Sequence, residues 1–148
     1  MRWIHDVSTD AADPPPFIAL RAARLACANG VEYSGLSPAE HRARYPDLQT
    51  AVFTQAPALI FKAALAAANA MQWQIAVAVE SEGRIEATAT TPLFRFKDDV
   101  VIRIRANNGG AKLDLRSASR IGQSDLGANA KRIRVFWHEI NNRLKSNT

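Results

Sequence analysis

Apolar positions recur along this chain with two different periods. From Ala56 to Met71 the residues are rich in Ala and Leu with no interior glycine, and Pro57 falls in a first turn where its missing N–H costs little. The pattern predicts a helix whose small side chains suit close packing on a sheet. The period then drops to two. Trp73, Ile75, Val77 and Val79 alternate with Gln74, Ala76, Ala78 and Glu80, which predicts a strand. Ser81-Glu82-Gly83 reads as a three-residue hairpin loop that sets Val79 opposite Ile85 and Glu80 opposite Arg84.

A second strand continues with Ile85, Ala87 and Ala89 inward and Glu86, Thr88 and Thr90 outward, as far as Pro92. Phe94 and Phe96 alternate with Arg95 and Lys97, and Asp98-Asp99 introduces a third strand carrying Val100, Ile102 and Ile104 on one face. Asn108-Gly109 is the strongest hairpin signal present, because a type I′ turn needs positive φ at both central residues. That turn places Ile104 opposite Leu113, Ile102 opposite Leu115 and Arg103 opposite Asp114. A last helix is expected from Asp125, with Leu126, Ala130, Ile133, Trp137, Ile140 and Leu144 spaced by threes and fours. The expected fold is therefore α+β: a four-stranded antiparallel meander with two main helices on one face. Residues 56–148 would form this α-β-β-β-β-α core.

Residues 1–55 read as an extended arm packed on that core. Pro14-Pro15-Pro16 enforces an extended path, and Trp3, Ile4, Phe17, Ile18 and Leu20 carry apolar area that a free tail would leave wet. Ser37-Pro38-Ala39-Glu40 has the form of a capping box and predicts one short helix to about Arg44, ended by Pro46.

Composition adds little to this picture, but charge distribution does. The net charge is +5, with 5 basic and 6 acidic side chains through Gln55 against 14 and 8 beyond it. Such a charge favours anionic partners, yet the basic residues form no stripe with stacking aromatics, which argues against nucleic acid. The single cysteine, Cys27, has no second Cys with which to pair or build a zinc cluster. No run approaches the roughly 20 apolar residues needed to cross a bilayer, and the first residues lack the apolar stretch of a signal peptide, so the chain reads as soluble as written.

Two places could carry chemistry. The outward sheet face presents Arg103, Arg105, Lys112, Asp114 and Arg116 beside Glu86, Thr88 and Thr90, and the default for such a face is solvation with cross-strand pairs. Cover by the arm, or a ligand, is the other reading. The second place is the stretch Arg116-Ser117-Ala118-Ser119-Arg120-Ile121-Gly122-Gln123-Ser124-Asp125-Leu126-Gly127-Ala128-Asn129. A strand end with two arginines and two serines that leads through a glycine loop into a helix start can accept an anion. Arg116, Ser119, Arg120, Ser124 and Asn129 are the candidate ligand residues. Asp125 competes as the helix's own cap, and Arg120 could simply pair with it.

This stretch, continued through Ala130-Lys131-Arg132-Ile133, resembles the signature of the family catalogued as domain of unknown function 1499. Ile4-His5-Asp6-Val7-Ser8-Thr9-Asp10, Pro14-Pro15-Pro16-Phe17, Tyr45-Pro46-Asp47-Leu48 and Phe94-Arg95-Phe96-Lys97-Asp98-Asp99-Val100 resemble its other motifs, so the likeness spans nearly the whole chain. It implies no activity. Members of that family often carry membrane-spanning segments before the His-Asp motif, where this chain begins. The resemblance thus implies either a soluble member or the soluble part of a longer, envelope-associated protein.

The functional expectation is a noncatalytic binding or interaction domain, taking a small anionic ligand or a protein partner, with no cofactor assigned. The alternative is a hydrolase-like enzyme that uses Ser117, Ser119 or Ser124 with His5, and it requires His5 within hydrogen-bond reach of one of them. No Gly-x-Ser-x-Gly elbow, phosphate loop or dinucleotide fingerprint supports catalysis. His5-Asp6 with Asp10 and Asp13 has metal-binding residue types, although short acidic turns are the commoner use of such residues.

Overall fold

A computed structural model of the chain describes residues 2–146. It is α+β, built on one antiparallel sheet of six strands, two more than the periodicity predicts. Strands β3 (Gln74–Val79), β4 (Arg84–Thr90), β5 (Lys97–Asn107) and β6 (Gly110–Ser119) form the expected meander. The extra two come from the N-terminal region. β1 (Asp6–Ser8) and β2 (Ala51–Phe53) both pair antiparallel with β6, sharing its outer edge: Val7 lies opposite Ser117 and Val52 opposite Lys112.

The Asn108-Gly109 turn takes positive φ at both residues, 50° and 83°, and the pairs Ile104–Leu113, Ile102–Leu115 and Arg103–Asp114 follow from it. The first hairpin differs from expectation by one residue. Val79 faces Arg84 rather than Ile85, because Glu80–Glu82 coil into a 3₁₀ turn closed by Gly83 at φ 62°, and a bulge between Ile75 and Val77 shifts the rest of the ladder. A side chain at position 83 would run into the Ile104 carbonyl, so glycine is required by space as well as by φ.

Helices α3 (Pro57–Ala70) and α4 (Ala128–Ser146) cover one sheet face. Ile60, Ala64 and Ala67 of α3 and Ile133, Phe136 and Ile140 of α4 pack with Ile85, Ile102, Leu113 and Leu115 in one apolar core. Phe136, which the helical spacing passed over in favour of its neighbour, is fully buried and stacks on Trp73 at 5.5 Å, whereas Trp137 is only partly covered. Helix α4 starts three residues later than expected. Leu126 and Gly127 adopt φ of 54° and 85°, and Leu126 is exposed instead of anchoring the core.

The opposite sheet face is not wet. Residues between β1 and β2 cross it, carrying the short helices α1 (Arg21–Leu25) and α2 (Pro38–Arg44), the latter with its Ser37–Glu40 capping box formed. Phe17 and Leu20 seat against Val101 and Ala118 in a second apolar cluster. Around that cluster the sheet's charged side chains are covered, which corrects the expectation of a solvated face.

Candidate functional site

A carboxylate placed where water is excluded needs donors to replace the water it gave up. Each carboxylate on the covered face finds them in the crossing segment or on neighbouring strands. Asp99 is fully buried between Arg24, at 3.0 Å, and Arg120, which holds it through Nε and Nη2 at 2.9 Å each. Asp6 of β1 takes both arms of Arg116, at 3.0 and 2.9 Å. Asp114 accepts the hydroxyls of Thr9 and Thr50. Glu86 accepts three successive backbone N–H groups, from Ile18, Ala19 and Leu20, and pairs with Arg84. A strand side chain thus caps the chain entering α1.

These contacts decide where the predicted ligand residues go, and the five do not converge. Strand alternation puts Arg116 on the covered polar face and Ser117 and Ser119 on the α4 face, and Arg120, just past β6, reaches the covered face through its contact with Asp99. Arg116 is 2% exposed, and its remaining N–H groups donate to the carbonyls of Pro15 and Val31, so its donors are already used inside the protein. Arg120 pairs with Asp99, not with Asp125; that hydrogen bond also raises its pKa above the ordinary arginine value. Asn129 is fully buried: it donates to Ser119 at 3.0 Å and accepts from Ser117 at 2.7 Å. Ser124 accepts the Leu126 N–H and is exposed. Asp125 caps α4's approach, taking the N–H groups of Gly127 and Asn129.

The serine hydroxyls are likewise committed to other partners than His5. The Nδ1 of His5 is buried with no partner, while its backbone carbonyl accepts Ser119 N–H and the Asn129 amide. His5 therefore enters the signature through its main chain, and the triad geometry is not formed. Nor do His5, Asp6, Asp10 and Asp13 gather: Asp6 is held by Arg116 while Asp10 and Asp13 meet Arg103, and the described residues contain no three-residue metal-ligating group.

What the signature end does present is an apolar rim. Thr91 closes the β4–β5 loop by exchanging backbone hydrogen bonds with Phe96 and Arg95 and accepting the Phe96 N–H on its hydroxyl. From this loop project Leu93, Phe94 and Phe96, 79%, 69% and 46% exposed, with the two phenyl rings stacked at 5.7 Å. Their alternation with Arg95 and Lys97 looked strand-like, yet only Lys97 joins β5. Across from them stand Ile121 and Leu126, 51% and 94% exposed. Phe94, Phe96, Ile121 and Leu126 line a cleft of about 220 Å³ whose polar floor includes Ser119 and Ser124. Arg95, Lys97 and Lys131, close in the chain to these residues, are exposed. Acidic groups here are internally engaged: Asp98 pairs with Arg132, and Asp125 caps α4.

A family model for a protein of unknown function, DUF1499, matches residues 6–140. The chain belongs to the DUF1499 family. The family stretch takes in the Asp6–Arg116 pair, the Arg24–Asp99–Arg120 cluster and both rim loops. No curated protein matches the chain in sequence. Among solved structures it is similar to the one described as "Crystal structure of Ara h 8.0201", with 12% identity, a TM-score of 0.37, and coverage of 66% of this chain and 95% of that one.

One titration follows from the buried layer. The Tyr33 hydroxyl donates to the Leu36 carbonyl at 2.8 Å, and burial, reinforced by the Asp6 carboxylate, raises its pKa above the usual 10.0. The folded protein keeps a proton that the unfolded chain releases near pH 10, so Tyr33's contribution is complete below that pH and is lost as pH rises through the folded value. Alkaline denaturation curves of Tyr33→Phe should accordingly fall less steeply than those of the parent above about pH 10.

Proposed function

We propose that this DUF1499 chain is a noncatalytic binding domain whose ligand meets the two rim loops, residues 91–96 and 120–128. The observation that carries the reading is the concentration of exposed apolar side chains. Of the eleven large hydrophobic residues exposed among the described residues, Leu93, Phe94, Phe96, Ile121 and Leu126 stand in these two loops. Isolated exposed apolar residues are ordinary, but a contiguous group of them marks a surface used for binding. The anion expectation survives in altered form. Arg116 is excluded by burial and Arg120 is held by Asp99, while Arg95, Lys97 and Lys131, exposed and close in the chain to the two loops, supply positive charge. The ligand chemistry that fits is an apolar chain joined to an anionic group.

Decyl phosphate tests it. Titration should shift the amide resonances of residues 91–96 and 121–128, and Phe94→Ser with Leu126→Ser should weaken binding about tenfold or more while leaving the melting temperature nearly unchanged. Inorganic phosphate, lacking the chain, should bind far more weakly. Unmoved loop resonances at saturating decyl phosphate would remove the proposal.

A further inference from the structure

Resting on that reading of the rim, we infer that its occupant is the surface of an anionic lipid bilayer, into which the two loops insert. The cleft alone does not account for the exposed apolar area. At about 220 Å³ it is smaller than the roughly 300–1,000 Å³ usual for small-molecule pockets. Leu93 lies outside the lining, and Leu126 at 94% exposure leaves nearly all its side chain uncovered. A ligand seated in the cleft would still leave Leu93 wet. A soft apolar surface laid across the loop tips would cover all five residues together.

Charge selects the kind of surface. Lys97 and Lys131 are exposed and close in the chain to the apolar tips, as is Arg95, whereas lysine is depleted from protein–protein interfaces. Long basic side chains can lay their stems along apolar neighbours and keep their charged ends among lipid headgroups. The acids matter equally: Asp98 and Asp99 are buried in ion pairs, and Asp125, which keeps its charge although backbone donors hold it, is outnumbered by the exposed Arg95, Lys97 and Lys131. Hydrogen bonds anchor both loops at their bases: Thr91 to Phe96, and the Asp125 N–H to the Ile4 carbonyl at 2.8 Å. That second bond also brings the exposed Trp3 close in the chain to the rim, a residue type that favours the membrane–water interface.

Sedimentation of the chain with vesicles of phosphatidylcholine, with and without phosphatidylglycerol, tests the inference. The chain should partition onto the anionic vesicles and only weakly onto the neutral ones. Leu93→Ser with Phe94→Ser should reduce partitioning about tenfold or more, and Arg95→Gln with Lys97→Gln about fivefold for each charge removed, with the remainder weakened by salt. All four side chains are exposed, so an unchanged amide spectrum verifies the fold in each variant. No partitioning onto anionic vesicles, while decyl phosphate still moves the loop resonances, would overturn the bilayer and leave the binding site standing. Failure of both experiments would overturn both. Self-association of the chain that Phe94→Ser abolishes, without vesicle binding, would assign the rim to a second copy and overturn the bilayer too.

Discussion

Replacing Asp99 with alanine should destabilise the fold by about 3–5 kcal/mol, a large part of the roughly 5–15 kcal/mol that holds a typical domain together. The carboxylate is fully buried between two guanidinium groups, and the effect lies mostly in what stays behind. Arg120 is partly exposed and can turn toward solvent. Arg24, 1% exposed, cannot. It would keep its bonds to the carbonyls of Gly30, Ala118 and Ser119 but would stand as an uncompensated buried charge. Asp99→Asn should be nearly as damaging, since it retains shape and loses charge. Adding Arg24→Met to Asp99→Leu should recover stability relative to Asp99→Ala, because removing both partners of a buried pair is far milder than removing one. Urea unfolding of the four proteins measures this. An Asp99→Ala midpoint close to the parent's would mean that the cluster contributes nothing to the fold.

A chain that begins at Tyr45 should not fold to a stable domain. The truncation removes Asp6 from Arg116 and Arg24 from Asp99, and with Ile18 to Leu20 it takes away the three N–H donors on Glu86. It also uncovers Val101 and Ala118, on which Phe17 and Leu20 sit. Each half-broken pair leaves a charge in an environment arranged for a partner. Their summed cost exceeds the stability expected of a domain this size. Far-ultraviolet circular dichroism and thermal melting of the truncated chain give the answer, and a cooperative transition near the parent's would reduce the segment to a linker.

Much of the core was legible because local chemistry settles it. Asn108-Gly109 can form the turn that needs two positive φ angles, and the register from Asn107 to Asp98 follows residue by residue. Ser37 and Glu40 announce their helix in the same local way. The first hairpin misled because a 3₁₀ turn and a simple three-residue loop share the same residues, Glu80 to Gly83, and differ by one position in register. Leu126 misled because helical spacing carries no sign of the positive φ that keeps it out of the helix.

The covered face was illegible for a different reason. Alternation shows which side of a strand is polar, but Asp99 buried against Arg24 and Asp99 in water give the same pattern. Their pairing joins residues 75 apart in the chain, and no spacing rule reaches that far. That the candidate ligand residues do not converge follows from a rule that was available. Arg116 and Ser119 stand three apart in one strand and must point to opposite faces, so a stretch rich in donors need not be a pocket. The rim was hidden for the converse reason: the alternation of Phe94 and Phe96 with Arg95 and Lys97 does not say which way the rings face, and only their 69% and 46% exposure shows that they face out.

The division of β6's outer side between β1 and β2 bears on self-association. A sheet invites runaway stacking of chains where it offers a long, straight row of unpaired backbone groups. Here one side ends in two separate strands of three residues each, neither long enough to template another chain. The other side ends in β3, uncharged from Gln74 to Val79 and apolar after Gln74, where the irregularity between Ile75 and Val77 breaks the row partway along. The molecule therefore exposes an apolar rim at its loop tips while its sheet edges stay short on one side and interrupted on the other.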